Sequence, residues 1–240
     1  MKVDAEKCVS CDLCVPYCPM GAISMEDVAV IDQEECVECT VCLKSGICPT
    51  SAFVYEVHPW PRSVRAVFSN PAIEHKETRV AGRGTEEVKT NDVTGMYKRG
   101  FVGITAELGR PGVGTRFRDV EKVAQAIAKA GVKFAPNNPV THLITDQATG
   151  KLNPEILDEK VLTAMVECLI PMQNIPVVIK ELREVASQIN TVFSLDIIAR
   201  LDPDGSVPYE KILSENGIQV SPNGKLNLGL GRPLAEEVSS

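Results

Sequence analysis

Cys8, Cys11, Cys14 and Cys18 fall within "CVSCDLCVPYCP", and Cys36, Cys39, Cys42 and Cys48 fall within "CVECTVCLKSGICP". The spacings are C-x2-C-x2-C-x3-C and C-x2-C-x2-C-x5-C, and a proline, Pro19 or Pro49, follows each run. So many thiols in so short a segment must be crosslinks, metal ligands or cluster ligands. Disulfides are disfavoured. The start, "MKVDAEKC", lacks the apolar stretch of a secretory signal, and nothing else points to an oxidising compartment. Structural zinc takes four ligands, usually as two separated pairs. Three thiolates at x2, x2 spacing on a tight loop suit three corners of a cubane. All-thiolate sets select zinc or iron–sulfur centres.

The likeness between the runs extends past the cysteines. "DAEKC" matches "DQEEC", and "CPMGAI" matches "CPTSAF". With these features residues 1–56 resemble a two-cluster bacterial-type ferredoxin. The resemblance implies two [4Fe–4S] clusters, with the fourth cysteine of each run serving the other cluster. Carried over, one cluster takes Cys8, Cys11, Cys14 and Cys48, and the other takes Cys36, Cys39, Cys42 and Cys18. It also implies single-electron relay, with the potential set by burial, hydrogen bonds to sulfur and nearby charge. The second run departs from the common spacing through "LKSGI" between Cys42 and Cys48. That insertion is expected to reshape the surface beside the first cluster, with Gly46 turning the longer loop. Tyr17, Phe53 and Tyr55 read as packing residues.

Charge sets the segment apart. Of the formal net charge of -7, all sits on residues 1–60, where Lys2, Lys7 and Lys44 face ten acidic residues; residues 61–240 balance. Such a surface repels nucleic acid, is steered towards basic protein surfaces, and favours the oxidised state of a cluster. The chain has 240 residues, 44% of them hydrophobic, enough for one large domain or two small ones. No apolar run approaches the ~20 residues of a membrane span. The expectation is a soluble, cytoplasmic protein.

"EVHPWPRS", residues 56–63, reads as a linker, with Trp60 pinning it to one domain. "SVRAVFS" is expected as a strand. "FVGITAEL", residues 101–108, alternates Val102, Ile104, Ala106 and Leu108. Phe117, Val120, Ala124, Ile127 and Ala128 form one helical stripe, which Gly131 stops. "THLIT" is expected as a strand. Leu162, Ala164, Val166, Cys168 and Ile170 alternate. Residues 172–189 predict an amphipathic helix, and "TVFSLDIIAR" a last strand through Phe193, Leu195, Ile197 and Ala199. The order β-α-β-β-α-β gives an α+β fold of the ferredoxin-like sandwich type, a topology shared with ACT-type regulatory domains. The expected organisation is a cluster domain at 1–57, a linker and extension at 58–100, a βαββαβ domain at 101–205 and a C-terminal extension at 206–240.

Chemistry in the second domain is sparse. In "LGRPGVGTRFRD", residues 108–119, the backbone at Gly112 and Gly114, Thr115 as N-cap, and Arg110, Arg116 and Arg118 form a candidate anion site. It matches neither a P-loop nor a dinucleotide fingerprint. The string recurs at Leu230–Pro233, so Arg110 and Arg232 are candidates to grip one anion. "RGTEEVKTND", residues 83–92, reads as a charged hairpin, and "DPDG", residues 202–205, as a turn. Cys168 reads as a buried small hydrophobe. His58, His75 and His142 are scattered, and no nucleophile or general base is evident.

The expected function is low-potential electron transfer through two clusters, as a carrier or as a subunit of an anaerobic oxidoreductase rather than an enzyme alone. The second domain would dock a catalytic protein partner or form a homo-oligomer. The alternatives are a ligand-gated ferredoxin with an ACT-like anion-sensing domain, and an iron–sulfur enzyme with its active site in the second domain.

Overall fold

The computed structural model of the chain describes residues 1–79, 95–110 and 112–220. The hairpin expected at 83–92 and the second LGRP string with Arg232 lie outside the described residues.

The cysteine-rich segment is made of short pieces: β1 (Lys2–Val3), a 3-10 turn at Val15–Tyr17, β2 (Ile23–Met25), β3 (Ala29–Ile31), α1 (Val41–Lys44) and β4 (Phe53–Val54). β1 pairs with β4, and β2 with β3, both antiparallel. Their core is Met1, Cys14, Ile23, Ala29 and Phe53, fringed by partly buried cysteines. So thin a core is marginal by itself, because a small segment hides too little apolar surface to offset chain entropy.

Residues 63–69 are not a strand but the helix α2 (Ser63–Ser69). Val64 and Phe68 stand four apart, on one helical face, and both enter the main core, while Arg65 faces the cysteine-rich segment. The remaining elements are β5 (Phe101–Leu108), β6 (Thr115–Arg116), α3 (Phe117–Ala128), β7 (Lys133–Phe134), β8 (Ile144–Asp146), β9 (Lys151–Leu152), β10 (Lys160–Val161), β11 (Ala164–Pro171), α4 (Ile175–Ala186), β12 (Phe193–Ile198) and α5 (Glu210–Glu215). Helix and strand are mixed, as in an α+β fold. The main sheet runs β12-β5-β11-β7, with every neighbour antiparallel. Two ribbons, β6 with β10 and β8 with β9, flank it.

The main core follows from two periodicities. Val102, Ile104, Ala106 and Leu108 alternate along β5 and are fully buried. Phe117, Val120, Ala124 and Ile127 of α3, and Ile175, Val178, Ile179 and Leu182 of α4, bring helical stripes onto that face. Gly131, at φ 66°, follows the end of α3. Phe68 meets Phe117 edge-on with ring centroids 5.1 Å apart, which ties α2 to α3; such a pair is worth about 0.5–1.5 kcal/mol beyond its area.

"THLIT" differs from expectation. Pro139–Leu143 is a 3-10 helix, and only Ile144 and Thr145 enter a strand, β8, which pairs outside the main sheet. Asn138 starts that helix: its side chain accepts from the Val140 N–H at 2.8 Å, with Pro139 in the first turn. The edge position of the main sheet goes instead to β7. The helix expected from residue 172 begins as a 3-10 turn at Met172–Asn174, before α4. At "DPDG" the turn is present: the Gly205 N–H donates to the Asp202 carbonyl at 2.8 Å. Cys168 is 1% exposed.

Candidate cluster sites

The two cysteine runs turn in the same way. Ser10 and Asp12 have φ of 53° and 61°, and Glu38 and Thr40 have φ of 57° and 62°. Each sits between successive cysteines of its run, so the chain reverses handedness at every x2 step. The approaches match as well. The Cys8 N–H donates to the Asp4 carbonyl and the Cys36 N–H to the Asp32 carbonyl, at 3.1 and 3.0 Å. Asp4 and Asp32 each accept, through Oδ1, the amide two residues on. Past the runs, the Ala22 N–H donates to Cys18 Sγ and the Ala52 N–H to Cys48 Sγ, both at 3.2 Å.

These turns aim the thiols into two cavities. The first is lined by Cys8, Cys11, Cys14 and Cys48, with Met25 and Phe53 among its apolar walls. The second is lined by Cys18, Cys36, Cys39 and Cys42, with Met20 and Ile23. Each cavity takes three cysteines from one run and the last cysteine of the other. Among the described residues, no three Cys, His, Asp or Glu side chains converge closely enough to hold a single metal ion. The donor set fits a [4Fe–4S] cluster, in which each of four thiolates meets its own iron.

Burial pushes the Cys14, Cys36 and Cys39 thiols up, and Cys42 up to about 12. Cys48 goes the other way. Burial raises it, but the amides of Ala52, Thr50 and Ser51 and the Thr50 hydroxyl together outweigh that and lower it. Thiols held up by burial keep their protons, so taking up iron as thiolates releases protons.

In the longer stretch before Cys48, Leu43 and Lys44 complete α1 and Gly46 turns the chain at φ 66°. Lys44 Nζ, on that helix, donates to Asn70 Oδ1 at 3.1 Å. The insertion therefore reaches beyond the cysteine-rich segment.

Basic residues of the rest of the chain grip the loop before and within the second run. Arg65 Nη1 donates to the carbonyls of Gln33, Glu34 and Cys36 at 2.8, 3.2 and 2.9 Å, and its Nε bonds to Glu159 Oε2. Arg62 Nη2 donates to Glu38 Oε1 at 2.7 Å, and the Met1 amino group to Glu38 Oε2 at 2.8 Å. Glu38 is 2% exposed and lines the second cavity. Burial alone would raise its carboxyl, but these cations hold it below the usual range. Glu35 is bound by Lys160 and, at 3.0 Å, by Arg116 Nη2; Lys160 chiefly lowers its carboxyl. Trp60 Nε1 donates to Glu155 Oε2 at 2.6 Å, so the linker is pinned at its indole.

The candidate anion loop is occupied from within. Arg110 pairs with Glu107 at 2.6 Å, Arg116 with Glu35, and Arg118 with Asp158. Thr115 is not a helix cap. It lies in β6, 2% exposed, and Arg116 is the N-cap residue of α3. Thr115 pairs with Val161 in the ribbon to β10, and the first amides of α3, those of Phe117 and Arg118, donate to the Glu159 and Leu157 carbonyls instead. Gly112 has φ 62° and open space around it. Gly114 is crowded: a Cβ there would stand 2.7 Å from Met20 Sδ. His75 and His142, distant in sequence, have ring centroids 5.4 Å apart. No sequence pattern flags Arg62, Arg65, Glu159 or Lys160; the one hint is the net charge confined to residues 1–60.

Residues 1–24 match the model of the 4Fe–4S binding domain, which supports cluster binding and an iron–sulfur electron-transfer role. No curated protein and no solved structure matches the chain. Among the described residues no helix is long and apolar enough to cross a membrane.

Proposed function

We propose that this chain is a low-potential electron-transfer protein that holds two [4Fe–4S] clusters. Cys8, Cys11, Cys14 and Cys48 hold one, and Cys36, Cys39, Cys42 and Cys18 the other. The observation that carries this reading is the pair of cavities, each walled by three cysteines of one run and the last of the other. The clusters supply reversible one-electron chemistry. The protein positions the thiols, donates N–H bonds to sulfur from Ala22, Ala29 and Ala52, and excludes water with Met25, Phe53 and Ile23.

The two ends differ. The second cavity backs onto Arg62 through Glu38, and the loop beside it is held by Arg65 at the Cys36 carbonyl and by Arg116 and Lys160 at Glu35. The first presents exposed Cys11 to solvent, beside exposed Val9, Leu13 and Asp12. A protein redox partner with basic residues around an apolar contact is read as docking there. In this reading residues 1–57 are the cluster domain and residues 101–205 a ferredoxin-like sandwich, with strand order β12-β5-β11-β7 as its support. The sandwich braces the second cavity and offers surface to a catalytic oxidoreductase subunit or to a second copy of the chain.

Protein purified under nitrogen should carry about eight irons, four for each cluster. Cys18→Ala should damage the cluster held by Cys36, Cys39 and Cys42, seen as loss of half the iron and of the magnetic coupling between two reduced clusters. Damage to the cluster of Cys8, Cys11 and Cys14 instead would sink the crossed assignment.

A further inference from the structure

The two cysteine runs turn alike but are walled differently. Aligned on their cysteines, Val9, Ser10 and Asp12 of the first run match Val37, Glu38 and Thr40 of the second. The first three are exposed and the second three are buried. The Ser10 hydroxyl donates to the Asp27 carbonyl at 2.5 Å, and the Glu38 carboxylate is taken by Arg62 and the Met1 amino group. Thr40 stands out. It is 4% exposed, it lines the second cavity, and its hydroxyl has no hydrogen-bond partner. Buried hydroxyls are nearly always bonded, so this one calls for an acceptor.

Local structure does not ask for a threonine here. A hydroxyl just before α1 could cap that helix, but this one makes no capping bond. The Leu43 and Lys44 amides donate instead to the Thr40 carbonyl, at 3.2 and 2.9 Å. Nor does the backbone favour the residue. Its φ is 62°, in the left-handed region, where a β-branched side chain is strained. The first run makes the same turn with Asp12, a residue type that enters this region more readily. Strain of this kind persists where a side chain has a task.

We propose that the Thr40 hydroxyl donates a hydrogen bond to an inorganic sulfide of the second [4Fe–4S] cluster and raises that cluster's reduction potential, an inference that rests on the two-cluster reading. The acceptor is a sulfide because no cysteine sulfur partners the hydroxyl. Besides the cysteines, Glu38 is the other polar side chain in that wall, and its carboxylate offers acceptors where a sulfide needs a donor. Reduction adds negative charge to the cluster, so a donor at its sulfur favours the reduced state. Asp12, exposed and without a hydroxyl, gives the first cluster no such bond. The two halves of the repeat therefore hold inequivalent clusters, and Thr40 is one cause of the difference.

The test is a redox titration of the full chain under nitrogen, followed by the paramagnetically shifted β-proton resonances of the cysteines, which report each cluster separately. Thr40→Val keeps the shape and the branching and removes the donor. It should lower the reduction equilibrium constant of the cluster held by Cys36, Cys39 and Cys42 about three- to tenfold, or about 30–60 mV at ~59 mV per tenfold for one electron. The other cluster should not move. Thr40→Ser, which keeps a hydroxyl, should hold the wild-type value. An unchanged potential in Thr40→Val overturns the proposal, as does an equal shift of both clusters, or a shift that Thr40→Ser shares. Should Thr40→Val fail to take up iron, Thr40→Gly, which suits φ 62°, decides in its place, since a purely structural threonine predicts no fall in potential there. Iron content separates the two failures. About eight irons with no shift removes the Thr40 bond alone, whereas about four in the wild-type chain overturns the two-cluster reading beneath it.

Discussion

Arg65→Met should unfasten the cysteine-rich segment from the rest of the chain. The guanidinium side chain is 4% exposed and serves three carbonyls of residues 33–36 together with Glu159, itself 14% exposed. Methionine keeps the apolar stem but takes this donor from the Glu34 and Cys36 carbonyls, leaves Gln33 to Arg62 Nη1 alone, and leaves Glu159 without its cation. Removing one partner from a buried ion pair costs about 3–5 kcal/mol, because the other charge stays desolvated. Against a typical native stability of ~5–15 kcal/mol this is a large fraction. At ~2–4 °C per kcal/mol for a chain of this size it lowers Tm by roughly 6–20 °C. Anaerobic thermal unfolding followed by circular dichroism reads the loss. Adding Glu159→Gln removes the stranded charge and should restore at least about 1 kcal/mol of it. Iron content should fall, with the cluster beside Cys36 affected first. A loss below about 1 kcal/mol, the range of an exposed pair, would refute the reasoning.

Gly150→Ala should destabilise by at least about 2 kcal/mol in chemical denaturation, because φ is 74° and the new Cβ would stand 2.5 Å from the Ala124 carbonyl oxygen of α3. Gly114→Ala should displace Met20, a wall of the second cavity, and change the absorption or magnetic spectrum of the cluster there while leaving that of the first cavity intact. Asp196→Asn should raise stability at neutral pH. The folded carboxyl lies above its ordinary value of 3.8, so its charged form penalises the fold at high pH. That penalty fades as pH falls through the folded value and is gone below 3.8, where mutant and wild-type melting curves should converge.

The repeat was legible because it is local. "DAEKC" and "DQEEC" fold alike since each aspartate bonds the amides that follow it, whatever lies beyond. The stripes of α3 and α4 and the alternation of β5 were legible because a 3.6 or 2 period states which face is buried. "SVRAVFS" misled because four apolar residues among seven fit either period, and only the distant core that takes Val64 and Phe68 decides between them. "THLIT" misled because Asn138 and Pro139, just upstream, start a 3-10 turn. Arg116 read as a ligand for an outside anion, and its anion turned out to be Glu35, 81 residues away. Arg65 and Glu159 are 94 residues apart, a separation over which no spacing rule operates.

The shared walls of the two cavities also bear on how the protein is made. The ribosome releases Cys8, Cys11 and Cys14 early, but the fourth sulfur of their cavity arrives only with Cys48. The brace on the second run comes later still, with Arg65 and then Glu159 and Lys160. A nascent chain emerging from its N-terminus therefore holds all eight lining cysteines well before the residues that brace them. The clamp on the second run is complete only once translation has passed residue 160, well after the last of the eight lining cysteines.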